Sequence, residues 1–384
     1  MKPIPYGRQN ISQEDIQAVV DILQSDYLTQ GPAVIEFEKK FAEYIGSQYA
    51  VAVSNGTAAL HLCTLALNVS VGDKVITTPI TFAASANCIR YCGGDVLFAD
   101  IDPNTFLIDI NEVEKLFKKH PKGSIKGIIP VDFSGAPVDL EQLRKLAEYY
   151  GCWIIEDACH APGGFIRDSK GIKQNCGNGV YADFAIFSFH PVKHIATGEG
   201  GMITTNNKDL YEKLLILRTH GITKDVGLLT ENHGSWYYEM QQLGYNYRMP
   251  DILCALGISQ LKRAEDGLIQ RKKIADVYRN AFKNNPNIQL QTEVEGHAYH
   301  LFVIQVQNRL GLYNYLREKN IFAQIHYIPV HTMPYYKQLG WKNGDFLKAE
   351  NYYQHCISLP IYPTLTDLEQ KYVINCVNDF FSQN

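Results

Sequence analysis

The chain has 384 residues, 46% of them apolar and 20% charged, a composition ordinary for a globular protein and long enough for about two domains. Its formal net charge of -4 excludes a bulk basic field for nucleic acid or an anionic membrane surface, so a phosphorylated ligand would need a local site. No apolar run approaches the ~20 residues that cross a bilayer.

From residue 49 onward, short apolar runs alternate with amphipathic stretches. Tyr49–Ser54 reads as a strand, and N-G-T-A-A-L-H-L-C-T-L-A-L after it as a helix. K-V-I-T-T-P predicts a strand and Phe82–Tyr91 a helix; D-V-L-F-A-D predicts a strand and Asn111–His120 a helix. G-I-I-P-V-D is a strand, D-L-E-Q-L-R-K-L-A-E-Y-Y a helix closed by Gly151, and C-W-I-I-E-D another strand. Such alternation predicts an α/β domain with a largely parallel sheet flanked by helices. The rhythm changes at F-A-I-F-S-F and G-M-I-T-T-N, two strands with little helix between them, which suits a mixed sheet. A helix near Leu210–Thr219 follows, then a single long helical pattern from Asp251 to Lys283. H-L-F-V-I-Q-V, a helix near Leu312–Lys319, F-A-Q-I-H-Y and a last helix at Asp367–Phe381 predict a smaller C-terminal α+β domain. The expected division is a large domain at 1–248 and a small one at 249–384.

The nine cysteines are odd in number, form no C-x-x-C pair and lie partly inside apolar runs. A reduced, cytoplasmic chain is expected rather than a disulfide scaffold. The start M-K-P-I-P-Y-G-R-Q-N has no apolar leader core, so no signal peptide is expected.

Four positions stand out. Ser54-Asn55-Gly56-Thr57 leads from a strand into a helix, where free N–H groups and the helix dipole suit a phosphate; an ordinary capped helix start reads the same way. Glu156-Asp157-Ala158-Cys159-His160 follows an apolar strand, where open α/β sheets place ligands; a turn aspartate is the plain alternative. Lys193 lies in S-F-H-P-V-K-H-I-A-T-G-E-G-G, between an apolar strand and a glycine-rich turn. Burial there would favour the neutral amine that attacks carbonyls. Phe82, just beyond the second strand, suits either the face of a flat ring or core packing. A phosphate cradle, a carboxylate, a stacking aromatic and a reactive lysine together match the needs of pyridoxal 5′-phosphate, with no metal required.

S-N-G-T-A-A-L, E-D-A-C-H-A, F-S-F-H-P-V-K-H-I-A-T-G-E-G-G-M-I-T-T-N and G-Y-N-Y-R-M-P-D-I resemble the sugar aminotransferases of the DegT/DnrJ/EryC1/StrS family. The resemblance runs from Q-G-P-A-V-I-E-F-E to S-L-P-I-Y-P-T-L-T. It implies a fold-type I pyridoxal-phosphate transferase working as a homodimer with shared active sites. L-R-T-H-G-I-T-K-D, N-H-G-S-W-Y-Y-E-M-Q-Q-L-G-Y-N-Y-R-M and H-Y-I-P-V-H look closest to the branch of pseudaminic acid biosynthesis. That branch aminates UDP-4-keto-6-deoxy-N-acetyl-β-L-altrosamine with L-glutamate as donor.

By this resemblance Lys193 would hold the cofactor aldehyde and move protons, and Asp157 would pair with the pyridine nitrogen. His160 would lie by the ring hydroxyl and Phe82 would stack on the ring. Gly56, Thr57 and Ser188 would hold the phosphate, with Asn246 reaching the neighbouring subunit's phosphate. Tyr6, Asp26, Tyr27, Leu28, Thr29, His326, Tyr327, Ile328 and Pro329 would line the nucleotide-sugar pocket, along with Gly56, Ser188 and Asn246. Two positions depart from the pattern: His194 after the lysine, and Met249-Pro250 before Asp251. Other ketosugars, or a dehydratase reaction on the same cofactor, are the competing expectations.

Overall fold

The computed structural model describes residues 2–382. Seven strands form the central sheet: β1 (Tyr49–Val53), β2 (Lys74–Thr77), β3 (Asp95–Phe98), β4 (Ile125–Ile129), β5 (Trp153–Asp157), β6 (Phe184–Ser188) and β7 (Gly201–Thr205), in the order β1-β7-β6-β5-β4-β2-β3. Strands β2 to β6 pair in parallel, and β7 runs antiparallel to both β1 and β6. The sheet is mixed and mostly parallel, as the change of rhythm after Cys159 predicts. Phe184, Ala185, Ile186 and Phe187 on β6 are all buried, which is why that run shows no alternation.

Helices α1 (Gln13–Leu23) and α2 (Pro32–Ile45) precede the sheet; α3 (Gly56–Ala66), α4 (Ala84–Tyr91), α5 (Ile110–Lys119), α6 (Leu140–Tyr150) and α7 (Lys208–Arg218) connect it. Most connecting helices start at a side-chain cap: Asn55, Asp109, Asp139 and Asn207 each accept a backbone N–H of the first turn. Helix α2 has no such cap of its own. Its first N–H groups donate to a residue distant in sequence, with Gly31 N–H to Asp251 Oδ2 at 2.8 Å and Ala33 N–H to Asp251 Oδ1 at 3.1 Å.

The predicted helix from Asp251 to Lys283 is two helices, α8 (Asp251–Leu261) and α9 (Ala264–Phe282). The break has a tertiary cause. Arg263 leaves helical geometry at φ -113° and ψ 8°, and its guanidinium donates to Asp15 and to the Asn10 carbonyl. Gln260 Nε2 donates to the same Asp15 carboxylate at 2.7 Å.

Beyond α9 come β8 (Gln289–Leu290), β9 (Phe302–Gln305), α10 (Arg309–Glu318), α11 (Leu347–His355), β10 (Cys356–Leu359) and α12 (Asp367–Ser382). The three strands make an antiparallel sheet in the order β8-β9-β10. F-A-Q-I-H-Y is not a full strand: only Ile321–Phe322 pairs, in parallel with Ile4–Pro5, and Gln324 bridges to Ser358. An apolar cluster joins Ile4 to Ile274, Phe282, Ile304, Leu359 and Phe380. Helix α8, just past residue 248, instead places Cys254 and Ile258 in a cluster with Phe37 and Phe41 of α2. Among the described residues no helix is long and apolar enough to cross a membrane.

Candidate active site

The C-terminal ends of β1, β5 and β6 open into one cavity of about 650 Å³. This is where parallel α/β sheets collect ligands, because loops leaving neighbouring strands part there. Gly56, Phe82, Asp157, His160, Ser188 and Lys193 all line it.

Its floor at α3 is built for an anion. The Asn55 side chain accepts the Ala58 N–H at 2.8 Å and its carbonyl accepts the Ala59 N–H at 3.0 Å. The N–H groups of Gly56 and Thr57 remain unclaimed at the positive end of the helix. A Cβ on Gly56 would lie 3.1 Å from Ser188 Cβ and 3.5 Å from its Oγ, so glycine lets the helix start and the Ser188 hydroxyl close on the same spot. These residues fit the phosphate of pyridoxal 5′-phosphate.

Asp157 ends β5 with its carboxylate fixed from two directions. Ser85 Oγ donates to Oδ2 at 2.7 Å and the Cys159 N–H donates to Oδ1 at 3.2 Å. A buried, oriented carboxylate suits a protonated pyridine nitrogen. Phe82 stands at the rim with 63% of its surface exposed, its ring 6.2 Å from that of Tyr327, so one face is free to cover a flat ligand.

Lys193 sits in the turn after β6, its N–H on the His190 carbonyl at 2.8 Å. Burial holds its ammonium pKa below the ordinary lysine value, while Asp157 pulls the other way. The imidazoles around it are neutral. Burial drives His160, His194 and His300 well below the usual histidine range, with Lys193 adding to the effect. His326 falls to about 3 for the same reasons. His160 Nδ1 accepts the Ser134 N–H at 3.2 Å, so Nε2 carries the proton and meets the Tyr327 hydroxyl at 3.3 Å.

The structure does not gather all the expected residues. Tyr6, His326 and Tyr327 line the cavity; Asp26, Tyr27, Leu28 and Thr29 do not. Those four lie exposed in the connection between α1 and α2, whose path is set by the Asp251 N–H bond to the Leu28 carbonyl. Ile328 points to solvent, and Pro329 is buried beside Val330, whose N–H bonds Pro79; neither reaches the wall. Asn246 is exposed, bridges to Thr219, and lies outside the cavity of its own chain. Ser85, Tyr91, Tyr247 and His300 line the cavity without having been expected.

Behind Asp157 the buried Asp132, Glu156 and Cys176 bring their side-chain oxygens and sulfur within 4.8 Å of one another.

Residues 9–378 match the family described as DegT/DnrJ/EryC1/StrS aminotransferases. The spore coat polysaccharide biosynthesis protein SpsC of Bacillus subtilis is 39% identical over 98% of this chain and 96% of its own. A UDP-4-amino-4,6-dideoxy-N-acetyl-β-L-altrosamine transaminase of Campylobacter jejuni is 37% identical over 96% and 95%. Helicobacter pylori PseC, an aminotransferase of pseudaminic acid biosynthesis, superposes with a TM-score of 0.89 at 30% identity over the full length of both chains. The chain therefore belongs to the DegT/DnrJ/EryC1/StrS aminotransferase family, and it is a pyridoxal 5′-phosphate-dependent sugar aminotransferase.

Proposed function

We propose that the enzyme transfers the amino group of L-glutamate to the C4 carbonyl of a UDP-linked 4-keto-6-deoxy sugar, UDP-4-keto-6-deoxy-N-acetyl-β-L-altrosamine, in the cytoplasm on the route to pseudaminic acid. The convergence of Lys193, Asp157 and the Gly56–Thr57 helix start in one cavity carries the amino-transfer chemistry. The identity shared with the altrosamine transaminase supports the choice of sugar.

Bound pyridoxal 5′-phosphate supplies an electrophilic aldehyde and an electron sink for the substrate carbon. Gly56, Thr57 and Ser188 hold its phosphate. Asp157, oriented by Ser85 and the Cys159 N–H, would face the ring nitrogen and favour its protonated form. Phe82 covers one ring face, and His160, uncharged, offers its Nε2 proton beside Tyr327. Lys193 Nζ would take up the proton of the donor's α-carbon and, in the sugar half of the cycle, would deliver a proton to the sugar C4. Tyr6, His326 and Tyr327 form the sugar-facing wall. Two copies of the chain complete each site, with Asn246 of one reaching the phosphate of the other, and each copy divides at residues 1–248 and 249–384.

The test is amination of a panel of UDP- and dTDP-linked 3-keto and 4-keto sugars with glutamate, the product's C4 configuration read by NMR. The altrosamine precursor should give the highest kcat/KM. Tenfold preference for another sugar would overturn the substrate assignment. A Lys193→Ala protein that still aminates any of them would overturn the mechanism.

A further inference from the structure

His300 reaches Lys193 from a part of the chain 107 residues away, with its Nε2 3.5 Å from Lys193 Nζ. It is 4% exposed and lines the cavity. The other imidazoles of the group are each pinned elsewhere: His160 by the Ser134 N–H, His194 by the Ala298 carbonyl at 2.9 Å, and His326 by the Ser358 hydroxyl at 2.9 Å. His300 has Lys193 alone, and its Nδ1 is buried without a partner. A buried ring nitrogen left unsatisfied costs stability, so the position is not explained by packing.

The backbone of His300 is held firmly. The buried Arg271 guanidinium donates to the carbonyls of Tyr299 and His300, each at 3.2 Å, and to that of Ile361 at 3.0 Å. Gly135, at φ +99°, lets the chain come close: a Cβ there would sit 2.8 Å from the His160 carbonyl and 3.0 Å from the His300 nitrogen. The ring of His300 then rests 4.3 Å from that of His160. This much scaffolding aims one imidazole at one amine.

We propose that His300 is the positioning residue for Lys193. Its neutral Nε2 accepts an N–H of the amine, which fixes Nζ and leaves the nitrogen lone pair directed into the cavity. The charged and titratable groups facing His300 are Lys193, His160, His194 and Arg271, and none is an acid that would stabilise an imidazolium. Protonation of His300 would remove the acceptor and place a second positive charge beside the amine. The inference rests on amino transfer and not on the identity of the sugar.

The test uses the half-reaction with glutamate alone, together with competitive acetylation of Lys193 across pH in full-length protein freed of cofactor. Neither needs the sugar, so a wrong substrate assignment leaves the result intact. His300→Phe should lower kcat about tenfold to a hundredfold with KM within about twofold, because a misaimed amine costs turnover and not binding. It should also move the Lys193 ionisation down by about half a unit or more, since an acceptor of the ammonium is lost. His300→Gln, whose amide oxygen still accepts, should restore most of both. An unchanged Lys193 ionisation in His300→Phe, or a folded His300→Gln whose kcat and Lys193 ionisation fall well short of the wild type, would overturn the proposal; the glutamine variant decides it if the phenylalanine variant does not fold.

Discussion

Asp132 and Glu156 lie side by side beneath the pocket floor, each 1% exposed and each with one oxygen on a backbone N–H. Asp132 Oδ1 takes the Val138 N–H and Glu156 Oε2 the Gly177 N–H, both at 2.9 Å, while Oδ2 and Oε1 have no donor. Two carboxylates cannot both stay ionised in such a place; one proton between them resolves the repulsion and gives the idle oxygens a hydrogen bond. Burial pushes Asp132 up to about 7, and burial together with the Asp132 charge pushes Glu156 well above the usual range.

A stability profile follows. Both acids bind their proton more tightly folded than unfolded, so their contribution is complete below about pH 4 and falls as pH rises toward and past 7. The wild-type melting temperature should therefore decline across that window. Asp132→Asn, which offers Glu156 a permanent donor, should flatten the decline by roughly 1–2 °C for each kcal/mol recovered. Parallel melting curves for the two proteins would exclude a shared proton, and stoichiometric metal in the purified protein would replace it with an ion.

The Ser85–Asp157 bond is a hydrogen bond to an ionised group, worth about 1.5–3 kcal/mol. Ser85→Ala should lower kcat about tenfold while cofactor content stays near that of the wild type. Asp157→Asn removes the charge itself and should lower kcat by at least about a hundredfold. The ordering of the two variants, read from steady-state rates with glutamate, is the check.

Gly56→Ala should weaken cofactor retention, since the added Cβ meets Ser188 at 3.1 Å. Dialysis followed by absorbance of the bound cofactor measures it. Under the shared-site proposal, Lys193→Ala and Asn246→Ala proteins, each inactive alone, should regain about a quarter of wild-type activity after subunit exchange, because a mixed dimer keeps one intact site. No regain after exchange would place Asn246 outside the neighbour's site.

Asp251 holds the start of α2 through two buried N–H bonds. Asp251→Ala should destabilise the fold by about 2–4 kcal/mol and Asp251→Asn by less, measured by chemical denaturation.

Much of the sheet was legible because each strand is an apolar run bounded by polar turns. Gly56, Asp157 and Lys193 could be singled out because each stands at the end of such a run. Other features had no local trace. Arg263 ends a helix by reaching Asp15, a contact that helical periodicity across residues 251–283 does not register. Ser85 reads as one more residue of α4 until the fold brings Asp157 over it. His300 sits ahead of β9 in a stretch with no motif, and its meaning comes from Lys193, which only tertiary structure supplies. Asp26–Thr29 drew attention by resemblance, yet the connection they occupy runs over the surface of the chain.

The pairing of Ile4–Pro5 with Ile321–Phe322 bears on how the protein is made. Tyr6 follows this strand, and its ring packs 5.0 Å from that of His326. Ile4–Pro5 therefore wait for more than three hundred further residues before they have a partner, and the wall that Tyr6 forms is fixed only once Ile321–Phe322 has been made. A fusion placed just ahead of Ile4 would crowd the wall that Tyr6 forms.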